Sequence, residues 1–116
     1  MCIRDSNMLD REVEQRLLPL AQEKGIAVIA NRPFQGGSLI NRLQRDETPL
    51  PEFARDIQCS NWPQFLLKFI VSHPAVTCAI PATTQLQHMQ ENMGAATGSL
   101  PNATMRKKML AYVESL

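Results

Sequence analysis

Two short stretches carry the residue types that could do chemistry. Arg32-Pro33-Phe34-Gln35-Gly36-Gly37 joins a cation to paired glycines, and Pro81-Ala82-Thr83-Thr84 sets two hydroxyls just ahead of a run containing His88, Glu91 and Asn92. Glycines let a ligand approach the backbone closely. Threonines at the start of a helix stand beside unpaired N–H groups and the positive end of the dipole, where a phosphate is favoured. The chemistry these residues suit is binding of a phosphate or nucleotide. No nucleophile stands beside a base, no loop holds a pair of carboxylates, and no P-loop spacing occurs. Plainer readings stay open for each residue: Gly36-Gly37 as a turn, Thr83 and Thr84 as a helix cap, Arg32 and His88 as surface residues, Glu91-Asn92 as a solvated helix face.

Such loops need elements to hold them. Asp10 to Lys24 has helical spacing at Val13, Leu17, Leu20 and Ala21, with acids at its start, Lys24 at its end and Gly25 as a stop. Pro19 is discordant and is expected to kink this helix or split it. Ile26 to Ala30 is an unbroken apolar run, which reads as a strand buried on both faces. Leu39 to Leu43 suits a short helical turn, and Arg45 to Pro51 an exposed loop. Ser60 is the expected cap of a helix that holds Trp62 and Pro63 in its first turn and stops before Pro74. Trp62, Phe65 and Phe69 read as core. Val76 to Ile80 reads as a second short, buried strand. Leu86 to Ala95 reads as a helix with Leu86, Met89 and Met93 on one apolar stripe. Asn102 or Pro101 opens the last helix, whose apolar face is Met105, Met109, Tyr112 and Val113. Strands alternating with helices imply an α/β fold with a parallel sheet, and the candidate loops fall at the strands' C-terminal ends, where such folds bind ligands.

Composition sets outer limits. The chain has 116 residues, the size of one ordinary domain, with 44% hydrophobic residues, 20% charged and a net charge of +1. A nucleic-acid surface would need a clustered basic excess, disorder would need few apolar residues, and a membrane helix would need about 20 apolar residues in a row. Phe65 to Val71 is the longest apolar run, and Lys68 interrupts it. The expectation is no nucleic-acid and no membrane partner. Cys2, Cys59 and Cys78 are widely spaced and form no metal or disulfide pattern, and no secretion signal precedes them. They read as reduced thiols of a cytoplasmic protein.

Met1 to Ser6 stand apart. They show neither helical nor strand periodicity, and back-translation gives a sequence resembling the transposon end used to tag DNA for sequencing. Residues 1–6 are therefore expected to be non-native, with genuine protein from about Asn7 and a reading frame entered inside a gene. Two parallel strands alone would leave their edges unpaired, a second reason to expect a missing partner. The chain is accordingly expected to fold poorly alone. The alternative is a small self-associating module that binds a phosphate or nucleotide, or a protein partner, without catalysis.

The two loops also carry a resemblance. The stretch from Gly25 to Gly37 resembles the seventh strand and loop of the aldo-keto reductases, and His73 to Thr84 resembles the eighth. Glu91-Asn92 completes that family's closing signature, and Leu9-Asp10-Arg11 is similar to the segment after the sixth strand. The resemblance spans essentially residues 7–116 and implies the C-terminal third of a (β/α)8 TIM barrel, with strands 7 and 8 and their helices. It implies an oxidoreductase that reduces aldehydes and ketones by hydride transfer from NADPH without a metal. Its partners would be a nicotinamide dinucleotide and a small carbonyl substrate, with oligomeric state left open.

By that resemblance, Arg32, Pro33, Phe34, Gly36 and Gly37 would line the pyrophosphate. Pro81, Ala82, Thr83, His88, Glu91 and Asn92 would surround the adenosine half. Asn31 stands where many members place an aromatic ring against the nicotinamide. Ala82 and His88 stand where many carry a Lys and an Arg for the 2′-phosphate, so NADH stays open beside NADPH. The family's catalytic tetrad lies in the N-terminal part of the barrel. Tyr112, the sole tyrosine, lies in the final helix, so no residue of this chain is expected to be catalytic. The stretch from Gln44 to Asp56 is a candidate pocket wall.

Overall fold

Parallel strands need crossover connections, and each connection here contains helix. In the computed structural model, which describes residues 1–116, β1 (Cys2–Asp5), β2 (Val28–Asn31) and β3 (Cys78–Ile80) form one parallel sheet in that order. Cys2 pairs with Val28 and Asp5 with Asn31 on one side, and Ile29 pairs with Cys78 and Asn31 with Ile80 on the other. The helices are α1 (Leu17–Glu23), α2 (Ser38–Arg45), α3 (Trp62–Val71), α4 (Leu86–Gly94) and α5 (Ala103–Glu114). Short 3-10 turns lie at Glu12–Glu14, Gln35–Gly37 and Glu52–Ile57.

The sheet has three strands, not two. Residues 1–6, which lack strand periodicity, supply the third as β1. Its pairing uses backbone groups, and its side chains add little: Cys2 is half-buried, and Ile3, Arg4 and Asp5 are exposed. An edge of unpaired amides and carbonyls accepts any extended segment within reach, so periodicity gave no warning of it.

Pro19 splits the first helix as expected, but harmlessly. It occupies the first turn of α1, where its missing N–H would have had no partner. The buried face is Val13, Leu18 and Ala21, so Leu18 replaces the expected Leu20, which is exposed. The break at Arg16 rotates α1 relative to the preceding turn. Asn61, not Ser60, caps α3, its side chain accepting from the Gln64 N–H at 3.0 Å. Asn102 caps α5 in the same way, accepting from Met105 N–H at 2.8 Å.

The strands also depart from full burial. Val28 and Ala30 are buried under α1, α2 and α3, whereas Ile29 and Asn31 on the opposite face are half-covered. Residues paired with that face, Ile3 and Ile80, are 54% and 47% exposed. The main core lies on the helical side. Phe65, Leu66, Phe69 and Ile70 of α3 meet Leu39 and Leu43 of α2 and Met109 and Val113 of α5. The α4 stripe of Leu86, Met89 and Met93 faces outward rather than inward, with Leu86 74% exposed. No helix is long and apolar enough to cross a membrane.

Polar groups tie the elements together. The Trp62 indole donates to Thr48 O at 2.8 Å, and the Tyr112 hydroxyl donates to Pro49 O at 2.9 Å. The two rings stack with centroids 6.4 Å apart. Thr48 and Pro49, within the stretch from Gln44 to Asp56, are thereby tied to the aromatic side of the core. Burial pushes the Cys59 thiol up, with the Lys68 charge partly opposing, so it stays an unreactive thiol.

His73 follows α3 and accepts the Ala75 N–H on Nδ1 at 3.1 Å, which places its proton on Nε2. Burial pushes its imidazole below the ordinary value of 6.5, Arg106 adds to that, and Glu14 partly opposes it. The folded state therefore binds fewer protons here than the unfolded state. The stabilisation from neutral His73 is complete above the unfolded value and is lost as pH falls toward the lowered folded one. Urea midpoints measured between about pH 7 and about pH 5 should fall through this window, and His73→Gln, which keeps an acceptor for Ala75, should flatten that part of the slope. An unchanged slope would exclude His73 as its source.

Candidate functional site

The ends of β2 and β3 lie side by side, so the segments that follow them face one another. Between them is a cleft of about 420 Å³. All eleven residues singled out from the sequence line it: Arg32, Pro33, Phe34, Gly36 and Gly37 after β2, and Pro81, Ala82, Thr83, His88, Glu91 and Asn92 after β3. The lining also includes Asn31 and Gln44, both expected near the site, and the structure adds Ile80, Ile40, Asn41 and Pro63. Asn31 and Ile80, the paired last residues of their strands, form the floor. Ile40, Asn41 and Gln44 come from α2, and Pro63 from the start of α3. The signal for the α2 group was present, since Asn41 and Gln44 are three apart and share a helix face. Thr84 does not line the cleft, and of the stretch from Gln44 to Asp56 only Gln44 does.

The first wall is built from unusual backbone. Arg32 and Gln35 have φ of 49° and 53°, and Gly36 and Gly37 have 66° and 94°. Arg32 and Gln35 are the costly ones, because a residue with a Cβ in the left-handed region is strained by about 1 kcal/mol or more. The twist turns the guanidinium back over the loop. A Cβ at Gly36 would make ordinary contact with Arg32 Nη2, at 3.5 Å, so it is the φ of 66° that favours glycine there. Gly37 then caps α2, and the first turn of that helix borders the cleft. The guanidinium is largely exposed, its nearest carboxylate being Asp5 at 3.6 Å. The Asn31 amide also donates to Asp5, at 3.3 Å.

The second wall is the entry to α4. Thr83 Oγ1 accepts the Gln85 N–H at 3.1 Å, so its hydroxyl proton is free to donate toward the cleft. Gln85 occupies the cap position without a side-chain bond of its own. His88, Glu91 and Asn92 follow on one face of α4, and Gln87 Nε2 donates to Glu91 Oε1 at 3.3 Å. Arg32 and His88 are the lining residues able to carry positive charge, and Glu91 is the lining acid. The arrangement offers phosphate donors on one wall and base- or sugar-recognising groups on the other. No cluster of three or more His, Cys, Asp or Glu is placed to hold a metal ion.

Comparison with known proteins decides the lineage. Residues 5–109 match the model of the Aldo/keto reductase family. The chain belongs to that family. It is 29% identical over 101 residues to a protein of Schizosaccharomyces pombe named uncharacterized oxidoreductase C215.11c, a match covering 87% of this chain and 31% of that protein. Its backbone superposes with a TM-score of 0.72 on the crystal structure of the thermostable aldo-keto reductase Tm1743, solved with the inhibitor epalrestat. That match has 25% sequence identity and covers 95% of this chain and 39% of Tm1743. This aldo/keto reductase chain thus spans less than half the length of either relative.

Tyr112 does not line the cleft, and its hydroxyl donates to Pro49 O at 2.9 Å.

Proposed function

We propose that this chain is the dinucleotide-binding side of an NADPH-dependent reductase, with β2 and β3 as the seventh and eighth strands of a (β/α)8 barrel. The observation that carries this reading is the convergence of two loops from neighbouring strand ends into one cleft. That cleft has a largely exposed guanidinium and paired glycines on one wall and Thr83, His88, Glu91 and Asn92 on the other. Gly36 supports the fit, because its bare backbone leaves the space that a Cβ would occupy beside Arg32.

Arg32, Pro33, Phe34, Gly36 and Gly37 would hold the pyrophosphate, and Pro81, Ala82, Thr83, His88, Glu91 and Asn92 the adenosine half. When bound, the cofactor supplies hydride to the carbonyl of a small aldehyde or ketone. This chain's part is to bind and orient. No acid for the reaction is assigned to it, since the tetrad would lie in the N-terminal part of the barrel. NADH remains an alternative to NADPH, because Ala82 and His88 stand where many members carry a Lys and an Arg for the 2′-phosphate.

Residues 7–116 would then be the C-terminal third of the barrel, and Met1 to Ser6 a translated adapter. The free cysteines suit a reducing cytoplasmic setting.

The test follows NADPH fluorescence and oxidation with a panel of aldehydes, for this chain and for a version extended upstream in its source genome. The expected outcome is nucleotide binding without turnover by the 116-residue chain, and turnover by the extended protein. Turnover by the short chain, or no nucleotide binding by either, overturns the reading. A self-associating module is the second reading, favoured by the edges of β1 and β3, each paired on one side only. A monodisperse dimer on gel filtration that melts cooperatively and binds no dinucleotide would establish it instead.

A further inference from the structure

We infer that Lys68 is the positioning residue for the α4 wall of the cleft, and through it for the adenosine half of a bound nucleotide. The inference rests on the nucleotide reading above. Lys68 lies in the middle of α3 and is fully buried. Its ammonium donates to Ile57 O at 2.6 Å, Thr97 O at 2.7 Å and Ser99 O at 3.1 Å. Three protons meet three acceptors, which is the full capacity of the group. A buried charge is tolerated only when it is satisfied in this way. Every acceptor is a backbone carbonyl, so Lys68 organises chain path and does not neutralise an acid.

Two of those carbonyls belong to the segment that leaves α4. Thr97 is bound back to the end of that helix, its N–H and its hydroxyl both donating to Gly94 O, at 3.2 and 2.9 Å. The segment is shaped to turn its carbonyls inward. Gly98 has φ of 74°, a Cβ there would collide with Gln58, and Gln58 Oε1 accepts the Ser99 N–H at 3.0 Å. Gln64, one turn before Lys68 on α3, lies against Gly94 so closely that any side chain at that position would strike its amide. Polar groups of α3 therefore hold the C-terminal end of α4 from two directions.

Apolar burial contributes little here: between the start of α4 and Leu100, Ala95 alone is buried. α4 buries none of its own side chains. A helix without a buried stripe has no hydrophobic term to fix its rotation or translation. His88, Glu91 and Asn92 sit within two turns of the clamped end, so the position of the second wall follows from the clamp. The first wall, Arg32 to Gly37, has no bond to Lys68 or to residues 97–99.

The experiment compares the 116-residue chain with its Lys68→Met and Gln58→Ala variants, the second being a milder disturbance of the same segment. Trp62→Phe serves as a control that loses a core hydrogen bond elsewhere. Adenosine 5′-monophosphate probes the second wall and inorganic pyrophosphate the first, each titrated by NMR. Lys68→Met should weaken the adenosine probe about tenfold, the scale of a lost charge-assisted constraint, and leave pyrophosphate affinity unchanged. Gln58→Ala should shift the same probe in the same direction, and Trp62→Phe should not separate the two probes. Equal loss of both probes, or loss of neither, overturns the inference.

A wild-type chain that binds neither probe refutes the nucleotide reading instead. Hydrogen exchange then decides on Lys68 without a ligand. In Lys68→Met, or in Gln58→Ala if the first variant does not fold, amides of residues 86–99 should exchange faster while those of α2 keep their rates. Uniform acceleration across both regions would show that Lys68 stabilises the fold without positioning α4.

Discussion

Arg106→Met is expected to lower stability by about 3 kcal/mol, a large share of what a domain of this size possesses. Arg106 lies in α5 and serves three elements at once. Its Nη2 donates to Glu14 Oε1 at 3.0 Å, and its Nη1 donates to Ser72 Oγ at 3.0 Å and to Phe69 O. The guanidinium carbon also sits 4.0 Å over the Phe69 ring. Methionine keeps much of the volume and the packing on Phe69, so the loss isolates charge and hydrogen bonding. What remains is a largely covered Glu14 carboxylate, its side chain 25% exposed, and an acceptor at the end of α3, both without their donor. Unmet groups of this kind cost more than the net worth of the bond they made. Glu14→Gln should cost only about 1 kcal/mol, because the amide oxygen still accepts. Chemical denaturation of both single variants and the double variant measures the coupling. A loss below that of an exposed ion pair, under about 1 kcal/mol for Arg106→Met, would show that these bonds are not made in solution.

The same cluster explains part of what the sequence concealed. Helix existence was legible because caps, prolines and apolar spacing are local signals: α3 begins beside Pro63, and α5 begins at Asn102. The cleft was legible for a different reason. Loops at the C-terminal ends of parallel strands meet whenever the strands are neighbours, so reading two strands sufficed to bring the two loops together, while the resemblance supplied the eleven residues that line the cleft. What stayed hidden depends on partners far apart in the chain. Lys68 interrupts an apolar run and looks like a solvated charge, and only the fold shows three carbonyls around it. β1 leaves no pattern because its pairing needs no particular side chains. The Leu86, Met89 and Met93 stripe has a core helix's period yet faces outward. Period reports that one face is apolar and says nothing of which surface covers it. The exposed faces of β2 and β3 have the same cause, since an apolar run fits a strand covered on both sides whether or not the second cover is present.

Arg32→Met should weaken binding of NADPH about 30-fold, from the loss of about 2 kcal/mol of charge-assisted hydrogen bonding to phosphate. The more telling result is expected from its neighbour. Asp5 lies 3.6 Å from the Arg32 guanidinium and also accepts the Asn31 amide, so its carboxylate occupies donors that a phosphate would use. Both partners of the ion pair are about half exposed or more, and such pairs contribute between nothing and about 1 kcal/mol. Asp5→Asn should therefore improve NADPH affinity by up to about fivefold, a gain of function from removing an acid. The gain must vanish in the Arg32→Met background, because the competition runs through Arg32. Added salt should shrink it as well, since screening weakens the exposed pair. These signs separate the readings of the Arg32 loop. If Arg32 is a solvated cation beside a plain turn, neither variant changes nucleotide affinity, and titration calorimetry of the single and double variants would show no coupling. If it is the phosphate group's partner, the two variants move affinity in opposite directions and the double variant follows Arg32→Met alone.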